Sequence, residues 1–142
     1  MSRELVRAEW RRAQEAFNAA LVLTREGFWA DAVSRAYYGV LHAAKAALLV
    51  QDVEAKSHAG VKRMFGLHLI KVGAIEPKWA DYLPAGLDDR LSADYDAEAL
   101  FTVKDARKAC REARAFLRRI RAYLVDNSFT AGELRSRRLK YG

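Results

Sequence analysis

Apolar residues recur along this chain in steps of three and four, the spacing of helices with one buried face. Val6, Trp10, Ala13, Phe17, Leu21 and Thr24 mark the first such face, and Gly27 follows as a stop signal. A second helix, roughly 28–50, is apolar on most sides through Ala32, Val33, Ala36, Tyr37, Val40, Leu41, Ala44 and Leu48. Such a helix belongs at the centre of a bundle. A third, about 58–72, places Val61, Phe65, Leu69 and Val72 on one side, with Ser57 as N-cap. Pro77 suits the first turn of a fourth, and Pro84 and Gly86 predict a break before Leu87 to Arg90. Thr102 and Asp105 form a capping-box pair that opens a fifth. Its buried row runs Val103, Ala106, Cys110, Ala113, Leu117, Ile120 and Leu124, while Lys104, Arg107, Lys108, Arg111, Arg114, Arg118 and Arg121 occupy the other faces. After Asn127 the period fades. The pattern predicts an all-α, up-and-down bundle of four to five helices over 1–126, followed by a basic C-terminal tail over 127–142 in which Arg135 to Lys140 reads as loosely held.

Composition agrees with one domain, because 142 residues, half of them apolar, suffice for a single small core. The lone Cys110 excludes an internal disulfide and a four-thiolate metal site, and its place on the buried row reads as packing. Three histidines and scattered carboxylates show no metal-ligand spacing, so no metal and no cofactor are expected. No signal-peptide stretch or membrane-length apolar run is visible, and the expected address is cytoplasmic, away from the membrane.

Charge changes the picture more. Residues 1–103 carry 13 basic and 14 acidic side chains, whereas residues 104–142 carry 12 basic and 4 acidic. The whole excess of +7 therefore sits in the last quarter of the chain. A concentrated basic surface attracts polyanions such as RNA, although a solvated helix face with a frayed tail has the same composition.

The candidate chemistry lies inside the second helix. Asp31, Arg35, Tyr38, His42 and Lys45 follow one another at steps of four, three, four and three, and so share one face. An ionisable row on an otherwise apolar helix is costly to bury alone, and so must meet a cleft, a ligand or another chain. The guanidinium of Arg35 offers a planar fork of donors for phosphate, and His42 exchanges a proton near neutrality. Together they can hold a phosphodiester and assist 2′-hydroxyl attack without a metal. An internal network, with Asp31 pairing Arg35 and His42 bonded to a carbonyl, uses the same residues. His58, at the start of the third helix, stands where free N–H groups favour anions, and His68 reads as a packed core histidine. Arg90, Asp94 and Tyr95 form a second cluster, either an ordinary ion pair beside a ring or a place where a base stacks.

The segment Ser34-Arg35-Ala36-Tyr37-Tyr38-Gly39-Val40-Leu41-His42-Ala43-Ala44-Lys45-Ala46 closely resembles the signature of small prokaryotic HEPN proteins. Ser57-His58-Ala59-Gly60 with Phe65, and then Arg90-Leu91-Ser92-Ala93-Asp94-Tyr95, are similar to that family in the same order. The resemblance spans roughly residues 5–125. It implies a helical bundle that dimerises with a cleft between subunits, and a metal-independent ribonuclease toxin or a nucleotide-binding module. It also implies a minimal nucleotidyltransferase as antitoxin partner. Nuclease members carry an arginine, four to six residues and a histidine late in the bundle. Here Arg90 is followed after four residues by Tyr95, and the pair at comparable spacing is Arg35 with His42. Some toxin members use a tyrosine near the arginine that the partner adenylylates, which the resemblance carries to Tyr95. The sequence thus assigns Arg35, His42 and Arg90 to catalysis, and Tyr38, Lys45, His58, Asp94 and Tyr95 to binding RNA or a nucleotide. A non-catalytic, homodimeric helical interaction module is the alternative, with Asp31 meeting Arg35 across a two-fold interface.

Overall fold

The computed structural model describes residues 1–83 and 100–135, and its regular structure there is all helical. The elements are α1 (Arg3–Arg25), α2 (Trp29–Val50), α3 (His58–Phe65) and α4 (Val103–Asp126). A π turn, Gly66–Ile70, prolongs α3, and a 3-10 turn covers Pro77–Tyr82. The helix starts follow the capping chemistry. Ser2 and Ser57 accept from the N–H groups of Leu5 and Gly60 at 3.2 and 2.9 Å. At the head of α4 the box is complete: Asp105 N–H donates to Thr102 Oγ1 (3.3 Å) and Thr102 N–H to the Asp105 carboxylate (2.8 Å). Gly27, at φ +86°, makes the left-handed turn that lets α2 fold back against α1.

The α1–α2 seam is built from small residues. On α2 a row of Ala32, Ala36, Gly39, Ala43 and Ala46 is buried, and on α1 Val6, Trp10, Ala13, Phe17 and Ala20 are buried opposite. A Cβ on Gly39 would lie 3.2 Å from the carbonyl oxygen of Ala13 and 3.4 Å from the backbone N of Phe17. The two backbones therefore approach closely only because this residue has no side chain. The close approach sets an antiparallel register in which the seam's flanking rows face each other.

Helix α4 packs against both α1 and α2, running antiparallel to α1, with Cys110 beside Thr24 and Arg114 over Phe17. Its apolar row is buried from Ala106 to Leu124 as the spacing predicts, with Val103 only partly covered, and is joined by Phe116 and Tyr123. Phe116 meets the rings of Phe65, Trp79 and Tyr82 and so locks α3 and the 3-10 turn to the bundle.

Two expectations need correction. The third helix ends at Phe65, and the π turn then keeps Leu69 buried but sends the chain out of the helix, leaving Val72 exposed and Ile75 in the core instead. For the same reason His68 is exposed rather than packed. Residues 127–135, where the apolar period fades, are docked on the bundle. Phe129 and Leu134 are buried, and the Leu134 carbonyl accepts from Trp10 Nε1 (3.0 Å) and Gln14 Nε2 (2.9 Å). Arg3 lies over the Phe129 ring and donates to Glu133 at 2.7 Å and to the Ser128 carbonyl at 2.8 Å. Two apolar anchors spaced five apart are too sparse to read as periodicity. The break expected at Pro84 and Gly86, and the tail beyond 135, lie outside the described residues.

Two pairs couple this fold to pH. The Arg3 hydrogen bond holds the Glu133 carboxyl at about 2, and the Arg119 hydrogen bond (2.7 Å) holds Glu76 at about 2, both below the ordinary 4.5. A carboxyl depressed by folding stabilises the native state above its unfolded value, and that contribution disappears as pH falls through the folded value. The melting temperature should accordingly be flat above about pH 5 and decline between about 4.5 and 2. Glu133→Gln should shrink the decline; an unchanged profile would mean that the docked segment is not held by this pair.

Candidate functional site

The row beside the small-residue seam of α2 is the ionisable one, and the corresponding row of α1 is Glu9, Arg12, Ala16, Ala19 and Leu23. Because the seam is tight, these two flanking rows become the walls of a groove. It has a volume of about 950 Å³ and is lined by Arg12, Glu15, Asp31, Arg35, Tyr38 and His42, with Ser34 and the small residues of α1 at its base. The alanines of α1 leave the space that longer side chains would fill.

At one end of the groove Glu9 meets His42. Their Oε2 and Nδ1 atoms are 2.6 Å apart, and Lys45 Nζ lies 3.9 Å from the other carboxylate oxygen. Partial burial pushes the Glu9 carboxyl upward. The His42 hydrogen bond and the positive charges of His42, Lys45 and Arg12 outweigh it, so the net shift is downward. An ionised carboxylate only accepts, so Nδ1 must carry the proton and donate. That fixes the tautomer and leaves Nε2 as the nitrogen outside this bond. The partner of His42 is thus a carboxylate from α1, not a backbone carbonyl. Asp31 and Arg35 are both exposed and form no ion pair among the described residues.

The structure brings Arg35, Tyr38 and His42 together in one groove. Lys45 stands just beyond it, in a smaller recess of about 160 Å³ that also holds Glu9 and shares Arg12 with the groove. His58 does not line the groove; its ring stands edge-on to Tyr37 and Tyr38, with centroids 5.6 and 6.2 Å away, and so backs Tyr38 from behind. Arg90, Asp94 and Tyr95 lie outside the described residues. Glu9 and Arg12 were missed by the sequence reading. Their signal was the polar-and-small row 9, 12, 16, 19, 23, which means little until the register of α1 against α2 is known.

Chemically, the groove pairs an oriented imidazole with guanidinium forks and an aromatic hydroxyl. Among the described residues no cluster of side chains has the makings of a metal site, and no helix is long and apolar enough to cross a membrane.

Comparison with known proteins gives a consistent result. The family model for the HEPN domain matches residues 6–123. A Methanocaldococcus jannaschii protein named "Putative toxin MJ0605" is 37% identical over 124 residues, covering 87% of this chain and 92% of that protein. A second protein of that organism, "Putative toxin MJ0142", is 30% identical over 122 residues, covering 86% and 83%. The "UPF0332 protein PH1297" of Pyrococcus horikoshii is 43% identical over 77 residues, 54% of each chain.

Proposed function

The chain belongs to the HEPN domain family, and from that premise we propose that it is a toxin-like protein acting on RNA, a metal-independent endoribonuclease whose site is the α1–α2 groove. The observation that carries this reading is the 2.6 Å contact from Glu9 to His42, which lines the same groove as Arg35. Relatives named as toxins support the toxin-like character.

In the proposed reaction Arg35 holds the non-bridging oxygens of the scissile phosphate, and Nε2 of His42 takes the proton of the adjacent 2′-hydroxyl. The 2′-oxygen then attacks phosphorus, the bond to the 5′-oxygen breaks, and that oxygen takes a proton from solvent water and leaves as a hydroxyl, while His42 returns its proton to the solvent. A 2′,3′-cyclic phosphate remains on the upstream fragment. Glu9 stabilises the imidazolium formed on the way. Tyr38 lies between the two groups along the helix and offers a ring for the neighbouring base, and Lys45 adds positive charge at the Glu9 end. Arg90, with Asp94 and Tyr95, belongs to the same proposal as a second contact to the substrate. A homodimer would close the open groove with a second copy, and a nucleotidyltransferase antitoxin would be the controlling partner.

The test is incubation of the full chain with total RNA in excess EDTA, beside Arg35→Glu, His42→Ala and Arg90→Ala. Cleavage by the wild type that is lost in the first two variants, with unchanged melting, is the expected result. Intact RNA with a folded wild type would remove the nuclease reading and leave nucleotide binding. Retained cleavage in His42→Ala would move the site out of this groove.

A further inference from the structure

The opposite flank of α1 carries a second groove, between α1 and α4. It consists of two recesses of about 670 and 310 Å³ that share Leu21 and Arg114 and so run into each other. Along α4 its wall is Arg107, Arg111, Arg114, Arg118 and Arg121, at steps of four, three, four and three. Arg25 of α1 faces them. No acidic residue lines either recess, whereas Glu15 and Asp31 line the α1–α2 groove.

The arrangement differs from an ordinary solvated face in three ways. First, two of the other three cations of α4 have partners: Arg119 is held by Glu76 at 2.7 Å and Lys108 lies 4.0 Å from Glu112. None of the six groove arginines forms an ion pair among the described residues. Like charges three and four apart on a helix repel, so a row of five left uncompensated invites a polyanion. Second, every cation lining the groove is arginine, whose fork matches phosphate oxygens two at a time. Third, the floor is apolar and the end is aromatic. Phe17 and Leu117 lie beneath the arginines, Arg114 sits 5.4 Å from the Phe17 ring centre, and the half-exposed Trp29 stands at the mouth beside Arg25. From Arg107 to Arg121 the wall extends roughly 21 Å, at 1.5 Å per residue.

We propose that this α1–α4 groove binds the sugar–phosphate backbone of single-stranded RNA, with Trp29 as a stacking platform, and that it is a separate anchoring surface from the α1–α2 groove. Stacked bases on an aromatic end and a cationic track are the two parts of a sequence-tolerant single-strand site. The assignment rests on RNA being what this chain handles, but not on any bond being cut. Its role is to raise the local concentration of the strand that the other flank of the same helix receives.

The experiment is fluorescence anisotropy of a labelled 2′-O-methyl uridine 20-mer, which lacks the attacking hydroxyl and so reports binding alone, against the full chain at several salt concentrations. Arg114→Glu/Arg118→Glu should weaken binding on the order of 100-fold at low salt. Arg63→Glu/Lys71→Glu, the same charge change away from the groove, should cost less than about three-fold. Arg111→Ala/Arg118→Ala, which guards against misfolding of the reversed variant, should lower the slope of log affinity against log salt by about 1.4. Equal losses in the two charge-reversed variants would reduce the effect to net charge and overturn the proposal. So would wild-type affinity in both groove variants. Displacement of the oligomer by polyglutamate at equal charge concentration would reassign the groove to an acidic protein partner. Loss of binding in Arg35→Glu with none in the groove variants would defeat this proposal while leaving the α1–α2 reading standing. Normal groove binding with no cleavage of ordinary RNA would do the reverse.

Discussion

Phe116→Ala is expected to destabilise the protein by about 3–5 kcal/mol, the range for removing a fully buried phenylalanine. Phe116 is completely inaccessible, and three rings close around it. Phe65 of α3 lies 5.8 Å away between centroids, Tyr82 6.0 Å in near-parallel stacking, and Trp79 6.3 Å edge-on. Aromatic contacts of this kind add to simple area burial. Truncation leaves a cavity lined by rings from both α3 and the 3-10 turn, so no single side chain can collapse into it. Domains of this size are stable by only about 5–15 kcal/mol, so the loss consumes a large share of the total. The expected drop in melting temperature is roughly 10–15 °C, measured calorimetrically, with a matching shift of the urea midpoint. Phe116→Leu should recover much of it. A loss below about 1 kcal/mol would show that the ring cluster does not hold α3 and the 3-10 turn to α4.

That cluster also marks how far the fold was legible. Rows of apolar residues at steps of three and four announced α1, α2 and α4, because a long helix repeats its message over several turns. The capping pairs Ser57 and Thr102–Asp105 announced two of the starts because the chemistry is local. Short or irregular pieces carry no such redundancy. The π turn after Phe65 broke the period within one turn and misplaced His68 and Val72. Phe129 and Leu134 anchor the segment after α4 with only two residues, and what fixes them is the Trp10 and Arg3 side chains of a helix more than a hundred residues earlier.

The site divides along the same line. The row Arg35, Tyr38, His42 stood out because polar residues at helical spacing on an apolar helix demand an explanation. Its counterpart on α1 did not, since Glu9 and Arg12 look like any exposed pair until Gly39 sets the depth and register of the crossing. Similarly, the five groove arginines of α4 were visible as charge, but their lack of ion pairs among the described residues and the groove they share with Arg25 belong to the packing of α1 against α4.

Glu9→Gln is expected to lower RNA cleavage by about 100-fold, and His42→Ala by about 10²–10⁴-fold, the range for removing a positioned general base. In the proposed reaction the carboxylate of Glu9 does two things for His42: it accepts the hydrogen bond from Nδ1–H, which orients the ring, and it stabilises the positive charge that appears when Nε2 takes a proton. Glutamine keeps an acceptor of the same shape and removes only the charge, so its effect isolates the second contribution. Since Glu9 is held below its ordinary value of 4.5, it is charged throughout the neutral range and the comparison is clean at pH 7. The two residues act as a unit, so the double variant should fall no further than His42→Ala alone. Additive losses would mean that Glu9 works through something other than the imidazole. A Glu9→Gln protein that melts earlier yet cleaves as fast as the wild type would reduce the 2.6 Å contact to a structural ion pair, and His42 would then serve as base without a charged carboxylate behind it.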